Sequence, residues 1–293
     1  MKQFLNCLFL LGLFLASPAW ASRQVVDTID KSYTVDGTPE LDVRNVEGPI
    51  TIAAHQGSDV RVKAIKEVHK AASDADSKQA ADKVKVEIKQ VGNRIEITAD
   101  YPKSAFSFGN GPYAIVRFEI STPKKSDVDG HAVDGSIEVA GLEGRLRLKT
   151  VDGDLEVRSC LGEISAHTVD GDLRLEDVGG TIDARTTDGD LQLDGALQAV
   201  QVKTTDGDLV VRVQPGSKME REWSMESTDG DIRLTLPDDF AANLEIRAND
   251  GEITTQFPVT VQRLSEGRFS GELNGGGHQL HIQSSDGDIR LVN

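Results

Sequence analysis

The stretch that decides the fold runs from Thr150 to Leu209. Broken before each repeating threonine, it reads TVDGDLEVRSCLGEISAH, TVDGDLRLEDVGGTIDAR, TTDGDLQLDGALQAVQVK and TTDGDL, so the period is eighteen residues. The Asp-Gly dipeptides that mark the repeats start at Asp134, Asp152, Asp170, Asp188, Asp206, Asp229, Asp250 and Asp286. The last three spacings, 23, 21 and 36, indicate insertions or a skipped Asp-Gly within a degenerate copy. A fixed period of this kind predicts a repeat architecture in which each copy is one structural unit.

Within each copy, apolar residues alternate with polar ones. With the Asp as position one, position four is Ile137, Leu155, Leu173, Leu191, Leu209, Ile232, Ile253 and Ile289, and position six is Val139, Val157, Leu175, Leu193, Val211, Leu234, Thr255 and Leu291. The second half of the early copies repeats the alternation, as in Leu146 and Leu148 or Ile164 and Ala166. A period of two predicts two short strands per copy, each with one buried face.

The threonine before each turn helps to decide between two possible architectures, a β-solenoid and a β-meander. Position seventeen is Thr150, Thr168, Thr186 and Thr204, with Ser227 and Ser284 at corresponding places. Recurrence of one side chain at fixed spacing suits a ladder stacked rung upon rung. A β-meander is the alternative, because Asp-Gly is also the preferred two-residue hairpin turn. We favour an all-β solenoid of stacked eighteen-residue, two-strand repeats, because a meander does not require like residues at every eighteenth position.

The first residues have the character of a secretory signal peptide. Lys2 precedes an apolar run over residues 4–16, and the triplet Ala19-Trp20-Ala21 provides a small-residue cleavage site, so we expect residues 1–21 to be removed. Losing 21 of 293 residues leaves 272, and losing Lys2 changes the formal charge from −16 to −17. No later stretch reaches the ~20 apolar residues that span a bilayer. We expect an exported chain, periplasmic or at the cell surface.

Charge and cysteine content exclude some classes of partner and bond. A net charge of −16 argues against nucleic acid, whose phosphates it would repel. Cys160 is the only cysteine after residue 21, which excludes an intramolecular disulfide in the mature chain. Cys160 occupies position nine, where other copies have Leu142, Val178 and Ala196, so we expect a buried thiol.

The flanks of the array differ from its centre. We divide the chain into the signal peptide at 1–21, a β-rich capping section at 22–130 with a helix near 72–83, and a solenoid array with a C-terminal cap at 131–293. Ser73 is the expected helix N-cap, followed by Asp74 and Asp76. The final rung is expected at 279–292, after a glycine-rich crossing at the terminal cap.

The column of acids is the main chemical feature of the repeats. The residues concerned are Asp152, Asp154, Asp170, Asp172, Asp188, Asp190, Asp206 and Asp208. Stacked at about 4.8 Å, neighbouring carboxylates repel by roughly 0.8 kcal/mol in water. Either the edge is well hydrated or it holds a cation, for which calcium is chemically suited. The alternative is that Asp-Gly only makes the turn, and we expect no other cofactor.

Other site chemistry is weakly represented. His278 and His281 are three apart, which places them on opposite faces of a strand, and His55, His69, His131 and His167 form no cluster in the sequence. No nucleophile elbow, phosphate loop or paired-cysteine metal motif is present, so no catalytic residue is assigned.

The ensemble of motifs resembles a known family. The segment Val46-Glu47-Gly48-Pro49-Ile50, the serial Thr-x-Asp-Gly-Asp-Leu and the closing Gly-Gly-Gly before the last rung are similar to the bacterial putative-adhesin family of exported β-strand-repeat domains of unknown function. The resemblance covers roughly residues 34–292. It implies a solenoid-like fold and a role at the envelope or surface, and it supplies no catalytic residues.

We therefore expect a non-enzymatic envelope or surface protein of structural or adhesion type. Its partner is unknown, an envelope or surface protein or a glycan being the candidates. The alternatives are a calcium-binding repeat module and an enzyme that acts on polysaccharides, since parallel β-helices can host such chemistry. The acids recur evenly instead of gathering at one rung with a Lys or Arg, which disfavours the enzyme. With only 5% aromatic residues, a stacking platform for sugars is also disfavoured.

Overall fold

The computed structural model describes residues 24–102, 111–265 and 267–293, and the predicted signal peptide lies outside them. The first part of the chain contains β1 (Gln24–Thr34), β2 (Glu40–Arg44), β3 (Ile50–His55), β4 (Asp59–His69), α1 (Asp74–Lys83), β5 (Lys85–Val91), β6 (Arg94–Asp100) and β7 (Tyr113–Pro123). The centre contains β8 (Asp127–His131), β9 (Ile137–Ala140), β10 (Glu143–Lys149), β11 (Leu155–Arg158), β12 (Leu161–His167), β13 (Leu173–Arg185), β14 (Leu191–Lys203) and β15 (Leu209–Val213). The last part contains β16 (Trp223–Asp229), β17 (Ile232–Thr235), β18 (Ala242–Ala248), β19 (Ile253–Thr255), β20 (Val259–Ser265), β21 (Arg268–Leu273), β22 (Gln279–Asp286) and β23 (Ile289–Val292).

The repeats stack as a parallel β-solenoid. Leu155 pairs with Leu173 and Leu173 with Leu191, each eighteen residues further on, and the pairing is parallel throughout the central repeats. Hairpin pairing would be antiparallel, so this register excludes the meander and confirms the solenoid. Two columns of strands result. The first strand column follows the Asp-Gly turns, and the second strand column completes each coil; β13 and β14 belong to both.

Alternation within the strands produces one continuous core. In β11 the side chains of Leu155 and Val157 are buried while Arg158 is exposed, and in β12 Ile164 and Ala166 are buried. Buried residues from the two columns and from the N-terminal section form a single hydrophobic cluster. Thr255 departs from the expected inward column: it is exposed, because β19 pairs only with β23 on one side and no further coil covers it.

The order of rungs in space differs from their order in the chain. β2 lies between β6 and β8, and β3 lies between β7 and β9. At the other end β22 lies between β16 and β18, and β23 lies between β17 and β19. The last rung in the chain is therefore not the last in the stack. Its predicted extent is right, but it is inserted one position inside the end of the stack.

Antiparallel strands close both ends of the solenoid. At the N-terminal end β4 pairs with β7 and with β1, and β5 pairs with β6. At the C-terminal end β21 pairs with β18 and β20 with β21. Asn274, Gly275 and Gly276 have φ values of 51°, 87° and 81°, and they carry the chain from β21 on one side of β18 to β22 on the other. The glycine-rich crossing thus exists, and it serves the insertion of the last rung.

The helix α1 confirms the sequence prediction. The Ser73 Oγ accepts a hydrogen bond from the Asp76 N–H at 3.2 Å, Asp74 and Asp76 lie in the first turn, and Lys83 lies in the last. These placements satisfy a free N–H and complement the helix dipole. Ala80 and Ala81 are buried, where the helix packs beside β4 and β7.

Candidate functional site

The Asp-Gly turns make the most regular edge of the molecule. The backbone of each first Asp bridges to that of the next coil, from Asp134 through to Asp229. Gly153 has a φ of 150°, and a Cβ at this position would lie 2.6 Å from the carbonyl oxygen of Gly135. Glycine is therefore required for two reasons at once: the conformation and the contact between successive turns.

The threonine column is buried and fully used. Thr150, Thr168, Thr186 and Thr204 donate through Oγ1 to the carbonyl oxygens of Gly135, Gly153, Gly171 and Gly189 at 3.0–3.1 Å. Ser284 makes the same bond to Gly230 at 3.1 Å. Each of the four threonines closes its own coil by tying the end of the second strand to the glycine that began the repeat, whereas Ser284 of the inserted β22 bonds to the glycine that begins the β17 repeat.

The second aspartate of each turn connects one coil to the next. The Oδ1 of Asp154 accepts the backbone N–H of Asp172 at 2.9 Å, and the same bond recurs from Asp172 to Asp190 and from Asp190 to Asp208. The series continues through Asp231 and Asp288 to Glu252. Because the bond is to a backbone N–H, its geometry repeats with the rung and fixes one oxygen of each carboxylate.

The structure brings the eight predicted acids to one edge of the solenoid. Asp152, Asp170, Asp188 and Asp206 are exposed, and Asp154, Asp172, Asp190 and Asp208 form the ladder just described. Within residues 24–102, 111–265 and 267–293, no group of three or more His, Cys, Asp or Glu has an arrangement that could hold a metal ion. Calcium at this edge stays a prediction.

A second feature interrupts the regular stack. Residues 214–222 are inserted between β15 and β16, and the Lys218 and Glu220 N–H groups donate to the carbonyls of Leu197 and Gln198 at 3.0 Å. Register shifts occur where β13 meets β14: one between Leu175 and Val178 displaces the pairing by a residue, and one between Gly180 and Thr181 restores it. As a consequence Ala196, expected in the inward column of position nine, is exposed, and Leu197 is buried instead.

The insertion and the register shift form two adjoining depressions on the outer face of the second strand column. They have volumes of about 700 and 660 Å³ and share Glu163, Thr181 and Arg221. We call the two together the groove. Arg221, from the insertion, lies at their junction and has its Nη2 3.5 Å from the Thr181 Oγ1. The lining of the larger depression is mostly polar and comes from six neighbouring strands, β12, β13, β14, β16, β22 and β18. The lining of the smaller depression is more apolar and includes Leu161 and Ala196.

Ion pairs hold several charged groups of the groove in place. Glu245 contacts both Arg247 and His281, the latter at 3.2 Å. Glu226 accepts from Lys203 at 3.1 Å and from the Ser224 hydroxyl at 3.1 Å. Beneath the groove the buried Trp223 donates through Nε1 to the Gln198 carbonyl at 3.0 Å, which anchors β16 against β14. Sequence reasoning missed this site; its signal was the spacing of 23 in place of 18.

The remaining singled-out residues have structural surroundings. Cys160 is fully buried, which confirms the inward prediction, and burial raises the pKa of its thiol. The His131 Nε2 lies 2.6 Å from the Asp129 Oδ1, and the His167 Nε2 lies 3.6 Å from the Asp183 Oδ1. His69 stacks on Tyr113 with ring centroids 5.2 Å apart. His278 lies in the turn before β22. His281, three residues later, lies in β22 and lines the groove.

The family comparison decides the classification. A family model described as Toastrack DUF4097 matches residues 48–292, which is most of the chain. The chain belongs to this family. Toastrack membership confirms the resemblance to exported putative-adhesin repeat domains of unknown function, and it agrees with the solenoid-like stack of the structure.

Several solved structures are similar to this Toastrack chain. A putative adhesin from Bacteroides fragilis is 11% identical, with 91% of this chain and 97% of that chain covered and a TM-score of 0.37. A putative adhesin from Parabacteroides distasonis is 11% identical, with 90% and 97% covered and a TM-score of 0.34. A putative lipid binding protein from the same species is 11% identical, with 91% and 97% covered and a TM-score of 0.30. No curated protein matches the chain. In the part of the chain that the structure describes, no helix is long and apolar enough to cross a membrane.

Proposed function

We propose that this chain is an exported, non-enzymatic module of adhesion type that acts at the cell envelope or surface. The observation that carries the proposal is the rung-to-rung ladder. Threonine hydroxyls donate to glycine carbonyls within each coil, and aspartate carboxylates accept backbone N–H groups from the next coil, which holds successive coils in one register. Repetition of a structural bond along many coils builds a stiff rod whose outward residues are free to vary. Such a rod presents surface to a partner instead of enclosing a reaction.

Export supports the same proposal. The pattern of residues 1–21 is that of a signal peptide, which would place residues 22–293 outside the cytoplasm. The fixed groove on the second strand column is then the surface that a partner contacts.

The proposal is tested by adhesion. Beads coated with residues 22–293 are incubated with intact cells and with isolated envelopes of the source bacterium, and retention is counted against beads coated with a denatured sample of the same chain. Selective retention of the folded chain is expected. Equal retention of both coatings would contradict the proposal, and release of reducing sugar from polysaccharides in the same assay would favour the enzyme alternative.

Calcium binding by the turn edge is the second candidate function. The observation in its favour is that eight carboxylates lie on one edge, and the ladder uses one oxygen of each second aspartate. Its test is a stability measurement, given in the Discussion.

A further inference from the structure

We infer that the groove binds a hydroxyl-rich glycan chain that is uncharged or carries amines. The inference rests on the proposed adhesion function and names the class of its ligand. It follows from the charge of the lining, the fixed polar groups, the apolar end and the length of the groove.

The charge of the groove selects against acidic ligands. Five carboxylates and two guanidinium groups line it: Glu163, Asp183, Glu222, Glu226 and Glu245, with Arg221 and Arg247. At its margin Arg185 pairs with Asp183 and Lys203 with Glu226, so five acids and four bases leave a small net negative charge of −1. An anionic polysaccharide or a phosphate-rich surface would meet net repulsion there, in addition to that of a chain with a net charge of −16. Carboxylates readily accept hydrogen bonds from neutral hydroxyls and from ammonium groups.

The polar groups are held before a ligand arrives. Glu245 lies between Arg247 and His281, and Glu226 is held by Lys203 and Ser224. A carboxylate has about four lone-pair sites, so each retains acceptor capacity after these bonds. Gln201 and Gln283 add both donors and acceptors. Sugar hydroxyls both donate and accept hydrogen bonds, so they suit a surface that offers donors and acceptors together. Because the two glutamates are already held in place, little side-chain ordering is needed on binding.

The other end of the groove is partly apolar. Gly162 is exposed and Gly180 half-buried, and Gly179 is covered by the side chain of Leu161, which is itself 48% exposed. No Trp, Tyr or Phe is present among the described lining residues. A leucine and a glycine surface can accept the apolar C–H face of a sugar ring, in place of the aromatic platform expected of a sugar site.

A peptide suits the groove less well. The lining strands already pair on both sides within the stack, so a peptide cannot add as a further strand. Recognition would then depend on pockets for apolar side chains, and the lining of the larger depression is mostly polar. Six neighbouring strands separated by the usual interstrand distance give the groove a length of roughly 24 Å, enough for several sugar rings.

The test uses residues 22–293 on a glycan array that carries neutral, amine-bearing and anionic oligosaccharides, followed by calorimetry with the best oligosaccharide. Gln201→Ala combined with Arg221→Ala removes exposed groups from the groove. The matched control is Gln192→Ala with Arg233→Ala, which changes the same residue types at exposed positions of the first strand column. Thr181→Trp fills the junction of the two depressions, with Gln192→Trp as its control.

Binding to neutral or amine-bearing glycans is expected, with affinity reduced at least tenfold by the groove variants and unchanged by the controls. Array signal restricted to anionic glycans, binding only to a control set of peptides, or no array signal would each overturn the inference. Equal loss in groove and control variants would also overturn it. Cell adhesion that persists unchanged in the groove variants would reject the groove as the glycan site while leaving the adhesion function standing.

Discussion

At the scale of single residues, neighbouring positions on a strand have opposite environments. Leu173 is 1% exposed within the core, whereas Arg174, the next residue, points outward. A carboxylate at the inward position would be buried without a partner, which costs several kcal/mol. The same carboxylate at the outward position remains in water.

We predict that Leu173→Asp lowers the free energy of unfolding by about 3 kcal/mol or more, whereas Arg174→Asp changes it by less than about 1 kcal/mol. Urea titration followed by circular dichroism measures both. Equal losses would contradict the assignment of inward and outward faces.

Cys160 allows a second test of the inward column. Burial raises the pKa of its thiol, so less thiolate is present near neutral pH and reagents reach it only when the coil opens. We predict slow reaction with a thiol reagent in the native protein and rapid reaction in denaturant. Labelling at equal rates in the two states would place the thiol at the surface.

At the scale of an element, the turn between coils depends on a glycine that touches the turn before it. In Gly171, φ is 145° and a Cβ would lie 2.3 Å from the Gly153 carbonyl oxygen. Gly216, in the insertion, has a φ of 93° with open space around it. A comparison of the two positions therefore separates the free-energy cost of the backbone conformation from the cost of steric contact with the preceding turn.

We predict that Gly171→Ala destabilises the protein by clearly more than Gly216→Ala, which should cost about 1–2 kcal/mol from its backbone conformation alone. Thermal melts of the two variants and the parent measure the difference. Similar losses would show that contact between successive turns contributes little to stability.

The regular elements were predictable because their signal is local and repeated. Alternation placed the strands, Ser73 marked the helix start, and the register of eighteen gave the solenoid. β1, the exchange of rung order and the groove were not predicted. Near-identical columns let any rung stack on any other, so local pattern does not specify which rungs become neighbours, and an insertion's path depends on carbonyls distant in sequence, such as that of Gln198.

At the scale of the whole molecule, the acidic edge should respond to ions. A ligand bound only by the folded state at 100 times its dissociation constant adds about 2.7 kcal/mol to stability. We predict small, equal rises of the melting temperature in millimolar calcium and magnesium, because both screen carboxylate repulsion.

The control for this measurement is the double change of Asp172→Asn and Asp190→Asn, in which the amide oxygens keep the acceptors for the backbone ladder. A rise specific to calcium that the double change abolishes would instead establish a calcium site. Melting in the presence of a chelator supplies the baseline.

The inserted last rung should matter to the whole stack. Deletion of residues 279–293 removes β22 and β23 from between two other rungs, leaving β16 and β18 without their shared neighbour. We predict loss of cooperative unfolding in the entire C-terminal half, measured by hydrogen exchange. Fraying confined to a few residues next to the deletion would contradict the inserted position.

The exchange of rung order also bears on how such a chain can lengthen during evolution. A copy duplicated after β23 would find the positions on both sides of the last rung already filled by β17 and β19, and a copy placed before β2 would meet β6 and β8 in the same way. We therefore expect new copies to enter between existing central ones, by duplication of whole eighteen-residue units. The most uniform spacing, from Asp134 to Asp206, lies in that central region, so repeat number should vary there among relatives while the flanking segments keep their lengths.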